Sequence, residues 1–248
     1  MKPKLRDELI GLLYPDDIKC IVCGREIHPN RYGLCGDCSF ELNENYCARC
    51  GRHKVGVGDY CGECDDVSLA FDEARSSVSY VGNALDTVHR LKYGDARYLA
   101  RHMCEYMLDT LLFADWSFDC FTFVPADPKR IKKRGYNQAR LLAERLADKT
   151  TAPCCDLLEK TRQTPNQARL GKTDRLNNIV GAFAARTAPP EHIVLVDDVL
   201  TTGATANECA RTLKKAGAKI VYVLTFASVP ERSPTDKPAI NIRDFRPQ

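Results

Sequence analysis

The chain of 248 residues has no run of about 18 consecutive apolar residues, so its pattern predicts no membrane-spanning helix. Nor does the N-terminal stretch read as a secretory leader. The apolar stretch Leu9-Ile10-Gly11-Leu12-Leu13 is short, follows Asp7 and Glu8, and has no small-residue cleavage site behind it. A cytoplasmic protein is expected. Nor is there a large excess of one sign of charge: 36 Lys plus Arg stand against 33 Asp plus Glu, a formal net charge of +3. A global field that weak predicts no affinity for a polyanion, so any such binding needs a local basic patch. Between residues 16 and 66 large apolar side chains are scarce. A segment that cannot assemble a hydrophobic core needs another source of folding energy, and a bound metal is the usual one.

That metal has its ligands in the sequence. Eight of the thirteen cysteines fall in four C-x2-C pairs: Cys20/Cys23, Cys35/Cys38, Cys47/Cys50 and Cys61/Cys64. In a reducing compartment disulfides are disfavoured, whereas paired knuckles suit tetrahedral zinc. Two structural zinc ions are expected, each closed by four thiolates. Sequential and interleaved pairings of the knuckles both fit the spacing. His28 and His53 lie nearby and are surplus to the ligand count. Filling both sites with eight thiolates and two dications moves the net charge from +3 to −1. Acidic residues outnumber basic ones within 16–66, which favours a scaffold or partner-docking role over nucleic-acid binding. The remaining cysteines, Cys104, Cys120, Cys154, Cys155 and Cys209, read as small buried hydrophobes.

After about residue 69 strands alternate with helices. The pattern predicts strands over 75–81, 120–124, 191–196 and 220–226, and helices over 84–92, 97–112, 137–147 and 204–216, the last stopped by Gly217. Such alternation argues for an α/β fold with a parallel, doubly wound sheet. The expected division is an N-terminal helix in 1–15, a double zinc ribbon in 16–68, the α/β domain in 69–228 and a proline-rich, poorly ordered tail in 229–248.

The chemistry concentrates after one strand. Val194-Leu195-Val196-Asp197-Asp198 brings two carboxylates to the carboxyl edge of the sheet, where parallel sheets bind ligands. The turn Thr201-Thr202-Gly203-Ala204-Thr205 then opens into a helix whose first N–H groups can converge on an anion. Acids beside a phosphate cradle make sense if they accept hydrogen bonds from sugar hydroxyls, so a phosphorylated ribose fits both halves. A receiver domain would need further strands with a Lys, and too little chain remains for them. Gly171-Lys172-Thr173 imitates the end of a Walker loop, but Asn166 stands where its first glycine should be. A basic loop, Lys129-Arg130-Ile131-Lys132-Lys133-Arg134, precedes Gly135-Tyr136-Asn137-Gln138 and follows the 120–124 strand. It should therefore lie at the same sheet edge. A second polar cluster contains Arg162, Thr164, Gln167, Arg169, Arg175 and Asn178.

The Asp197-Asp198 motif resembles that of type I phosphoribosyltransferases. The resemblance implies that Asp197 and Asp198 hold the ribose hydroxyls of phosphoribosyl pyrophosphate. Thr201, Thr202, Gly203, Ala204 and Thr205 would hold its 5′-phosphate, with Mg2+ accompanying the ligand. Together with Leu12-Leu13-Tyr14-Pro15, the paired cysteines, Leu91-Lys92-Tyr93, Arg134-Gly135-Tyr136-Asn137-Gln138, Thr164, Gln167, Arg175 and Asn178, the chain is similar to the ComF family of bacterial DNA uptake. That likeness implies a link to natural transformation. Two readings follow: a phosphoribosyltransferase, or a binding protein for a nucleotide or single-stranded DNA that meets competence proteins. On either, Lys129, Arg130, Lys132, Lys133 and Arg134 would serve pyrophosphate or DNA, and Tyr136 would offer a ring for stacking.

Overall fold

The computed structural model describes residues 18–62, 64, 69–162 and 179–231. The helix expected in 1–15, the cluster from Thr164 to Asn178, and the tail beyond residue 231 lie outside the described residues. The α/β domain begins with β1 (Glu73–Ser79), α1 (Gly82–Tyr93) and α2 (Leu99–Ala114). It continues through β2 (Cys120–Phe123), α3 (Pro128–Arg134), α4 (Gln138–Lys149), β3 (Leu158–Lys160) and β4 (Phe183–Ala185). It closes with β5 (His192–Leu200), α5 (Ala204–Lys215) and β6 (Ile220–Ser228).

Four strands form a wholly parallel sheet in the order β1-β6-β5-β2. Ile193, Val194, Leu195, Val196, Val221, Val223 and Leu224 are fully buried, as central strands covered on both faces require. Right-handed crossovers place the helices. The connection from β1 to β2 and the one from β5 to β6 run in opposite directions across the sheet, so α2 and α5 lie on opposite faces, and α4, which packs on α2, β2 and β5, shares the face of α2. The β3–β4 pair is a separate antiparallel ribbon.

Two sequence expectations change here. The strand carrying the acidic pair does not stop at Val196. It continues to Leu200 because β6 reaches Ser228 and pairs with it along the way, Asp197 against Thr225 and Leu200 against Ser228. The basic run is not a loop but a seven-residue helix, α3. Asp127 caps it by accepting from Lys129 N at 2.9 Å, Pro128 presets its first turn, and Gly135 closes it at φ 87°.

The zinc-ribbon segment docks on the outer edge of β1. Ser79 N donates to Glu41 O at 2.8 Å and Asn43 N to Ser77 O at 3.1 Å, with Leu42 bridged to Val78. Phe40 inserts beside Tyr106 and Phe226, ring centroids 5.2 and 5.5 Å away. Gly51, at φ 68°, lies so close to the Ala74 backbone that any Cβ would collide with it. At the far end of the chain Glu231 accepts from Val55 N and Gly62 N. Because of this shared core, metal removal should disturb β1 as well as the ribbon segment.

One ion cluster ties ribbon, α2 and α4 together. The Glu105 side chain is 9% exposed and meets Arg31 Nε and Lys149 Nζ, each at 2.5 Å. Burial alone would raise its carboxyl, but the Lys149 and Arg31 cations outweigh that and hold it below the ordinary glutamate value. A depressed native pKa contributes stability above the unfolded value, near 4.3, that is lost as pH falls through the folded one. Glu105→Gln should therefore cost about 2 kcal/mol at neutral pH. The difference in Tm from the unsubstituted protein should shrink as pH drops below about 4. Melting curves across that range check it, and a difference independent of pH would show that the charge does not stabilise.

Candidate functional site

At the carboxyl edge of the sheet, the end of β5, the turn after it, α3 and the β3–β4 ribbon enclose a cleft of about 250 Å3. Its floor holds Asp197 and Asp198. Successive strand residues leave the backbone toward opposite faces, yet both carboxylates border the cleft and stay close enough to act on one another. Asp198 pairs with Lys92 Nζ from the last turn of α1. Asp197 lies toward the buried Cys209 of α5 and accepts from Asp198 N at 2.8 Å. Burial and the neighbouring Asp198 raise the Asp197 carboxyl well above the usual aspartate range, with Lys92 opposing them. Burial would lower the Lys92 ammonium, but Asp198 and Asp197 outweigh it and raise that group.

The turn delivers Thr201, Gly203 and Thr205 to the cleft wall. Thr202 turns its hydroxyl back to accept from Ala204 N at 3.4 Å, and Ala204 is buried at the start of α5. Gly203 serves as N-cap of α5 at φ 76°, a left-handed conformation that a β-branched residue resists. A Cβ there would only touch the Phe71 ring at 4.0 Å, so backbone conformation rather than crowding calls for glycine. Behind it the N–H groups of the first α5 turn point along the helix axis and favour an anion.

Arg130 and Arg134, four residues apart on α3, share a face and line the cleft. Lys132 and Lys133 border a second groove of about 530 Å3, which shares Lys92, Tyr93, Arg130 and Arg134 with the first. Lys129 lines neither. Tyr136 lines neither as well: its hydroxyl donates to Leu91 O and the Arg97 guanidinium covers its ring at 4.6 Å. Lys160 enters the cleft from β3, its ammonium 6.0 Å from the Phe183 ring. Burial, with Arg130 adding to it and Asp127 opposing, lowers that lysine.

The knuckles pair sequentially. Cys20, Cys23, Cys35 and Cys38 form one group, Cys47, Cys50, Cys61 and Cys64 another, with all Sγ atoms of each group within 4.8 Å of one another. The Cys23–Cys35 and Cys50–Cys61 sulfurs are 3.7 and 3.6 Å apart. Tetrahedral ligands at the zinc–sulfur bond length lie about 3.8 Å apart, so both cages fit zinc with no position left for water.

Comparison with known proteins agrees with this layout. The family described as double zinc ribbon domain matches residues 9–65, and the phosphoribosyl transferase domain matches residues 131–245. The chain is similar to Competence protein F of Haemophilus influenzae, 27% identical over 218 residues that cover 84% of this chain and 95% of that one. It is similar to Competence protein ComFC of Streptococcus pneumoniae at 28% over 225 residues, covering 82% and 97%. DNA utilization protein YhgH of Escherichia coli K12 matches at 27% over 213 residues, covering 82% and 94%. Over most of its length the chain is similar to these competence and DNA utilization proteins, with a double zinc ribbon domain ahead of a phosphoribosyl transferase domain.

The cleft contains residues to which the sequence patterns gave no role. Asn137 caps α4 and donates to Val124 O at 2.9 Å, while Tyr80, Asp127, Gln138, Lys160 and Phe183 complete the wall. The Leu91-Lys92-Tyr93 match was the one sign of Lys92, and it carried no role. Burial also divides the two cages. Every sulfur of the second is buried, whereas in the first Cys23 is exposed and Cys35 and Cys38 are half-buried. Metal-replete protein should carry two zinc ions per chain. A mercurial thiol reagent with a zinc indicator should release one of them about tenfold faster than the other. Fewer than two ions, or release in a single phase, would contradict these cages.

Proposed function

We propose that this protein binds phosphoribosyl pyrophosphate or a ribose 5-phosphate-like ligand in the Asp197–Asp198 cleft, in the service of DNA uptake. The observation that carries the reading is the convergence of three chemistries on one cavity. These are a carboxylate pair, an open helix N-terminus behind Gly203, and the cations Arg130, Arg134 and Lys160. The carboxylates suit ribose hydroxyls. The N–H groups after Gly203, with the Thr201 and Thr205 hydroxyls, suit the 5′-phosphate. Arg130, Arg134 and Lys160 lie where the charge of a departing pyrophosphate would develop, which is where a transferase needs them. Mg2+, bound to the pyrophosphate oxygens, would neutralise the same charge. The names of the relatives, competence and DNA utilization proteins, support the cellular role.

Phosphoribosyl pyrophosphate with Mg2+ should raise the Tm by mass action. Asp197→Asn with Asp198→Asn should weaken binding, each lost charge-assisted hydrogen bond costing about 1.5–3 kcal/mol. Gly203→Val should remove the response by straining the cradle. Pyrophosphate release on adding a panel of nitrogen bases would identify a transferase. A Tm insensitive to the ligand, or shifted equally in all variants, would rule the site out.

A specific surface favours single-stranded DNA as a second ligand. The groove beside the cleft is bordered by Arg97, Lys132 and Lys133, and by Tyr93, which is 69% exposed and has Arg134 5.2 Å and His89 4.7 Å from its ring, so a stacked base would displace one of them. Tyr93 thus takes the stacking part that the sequence suggested for Tyr136. Because Arg130 and Arg134 belong to both cavities, phosphoribosyl pyrophosphate and DNA should compete. The affinity for DNA should fall with salt at a log–log slope of about −0.7 per phosphate neutralised. Lys132→Ala with Lys133→Ala should make that slope shallower by up to about 1.4. A slope unchanged by both substitutions would place DNA elsewhere on the protein.

A further inference from the structure

Lys92 and Asp198 are far apart in sequence, and the fold brings them together at the floor of the cleft. The Asp198 side chain is 8% exposed and that of Lys92 24% exposed. Two adjacent carboxylates in such a place repel one another and draw a cation. A divalent metal can supply that cation. Here the chain supplies an ammonium, and it places that ammonium with care.

Lys92 is held from both sides. The preceding Leu91 is fully buried, and its carbonyl accepts the Tyr136 hydroxyl. Two residues earlier Arg90 donates to Ile21 O, inside the first cysteine knuckle, and to Tyr98 Oη. Gly94 then ends α1, its N–H returning to Arg90 O at 2.8 Å. Lys92 therefore lies in a last helical turn whose backbone is pinned, where the orphan carbonyls of the helix also favour a cation. A lysine elsewhere would lose its rotamer freedom on pairing. Here the stem is already directed, and the pair forms with less of that cost.

We propose that Lys92 is the resident counter-cation of the acidic pair, standing where a divalent ion would otherwise bind, so that the carboxylates can receive sugar hydroxyls without metal. Mg2+ in the cleft then belongs to the pyrophosphate and not to Asp197 or Asp198. Arg130 and Arg134 have a different task, because they approach from α3 and meet the incoming anion. Lys92 is a positioning residue, acting through the carboxylates.

The test has two arms, both on the full zinc-loaded chain. In the first, Mn2+ alone is titrated and its free fraction read by electron paramagnetic resonance. The unsubstituted protein should show no tight site, and Lys92→Arg, which keeps the charge, should behave alike. Lys92→Met should gain one site binding Mn2+ at least about tenfold tighter. Adding Asp198→Asn to Lys92→Met should remove it. A tight Mn2+ site on the unsubstituted protein that Asp198→Asn removes, or no gain in a Lys92→Met protein that keeps its zinc, would overturn the proposal.

The second arm rests on the ribose-phosphate reading and needs only the unsubstituted protein, so it holds even if Lys92→Met fails to fold. The Tm shift given by ribose 5-phosphate should be the same with and without Mg2+. A shift seen only with Mg2+ overturns the role of Lys92 and leaves the ribose-phosphate reading standing. No shift in either condition overturns that reading, and Mn2+ binding by the unsubstituted protein then decides the role of Lys92 alone.

Discussion

An edge strand cannot be left with a bare row of backbone donors and acceptors, and β1 is the edge strand on which this architecture depends. Its inner side pairs with β6, and its outer side would meet water or another chain. Residues 41–43 cover that outer side through two backbone hydrogen bonds and one bridge. The segment supplying them has almost no apolar core of its own, so it keeps its shape only through eight cysteines gathered in two cages. The folding energy of metal binding is thus spent at the margin of the sheet, where Phe40 joins Tyr106 and Phe226 in the domain core.

At the other end of the strands the problem is charge. Parallel strands deliver their carboxyl ends to one side, and here the chain sends acids from β5, arginines from α3 and lysines from α1 and β3 to the same small cavity. Opposite charges in such a space would collapse onto one another if every pair could meet. The geometry separates them. Lys92 takes Asp198, and Asp127 spends its side chain capping α3. Arg130 and Arg134 reach the same cleft from α3, a different element from the β5 floor that carries the acids.

Much of this was legible in the residues, and the failures have physical causes. The strands over 120–124 and 220–226 were readable because buried parallel strands are continuous apolar runs. The end of β5 was not, since two aspartates look like a loop until the partner strand is known to extend beside them. The basic run read as a loop because five cations give no amphipathic period. Its helix is decided by the Asp127 cap, Pro128 and Gly135 around it. The three-residue strands β3 and β4 are too short for any periodicity. Knuckle pairing needed three dimensions, because spacing allowed both arrangements. Tyr136 was noticed for its ring beside the cations, yet its hydroxyl and the Arg97 stack hold it in the wall behind the groove.

The two halves of the chain also meet at α1. Arg90 reaches the carbonyl of Ile21, inside the knuckle formed by Cys20 and Cys23, and two residues on Lys92 reaches the acidic pair. A helix turn transmits position faithfully over that span, because residues so near in one turn cannot move independently without breaking its hydrogen bonds. The knuckle that anchors Arg90 belongs to the more exposed of the two cages. Glu105 adds a second strut, joining Arg31 of the same ribbon to Lys149 at the end of α4, whose opposite end carries Asn137 and Gln138 into the cleft wall. The first ribbon therefore bears on the cleft from two directions, through the cation of its floor and through the helix of its wall. A zinc module with closed coordination has no chemistry of its own to offer. What its contacts do is place these side chains.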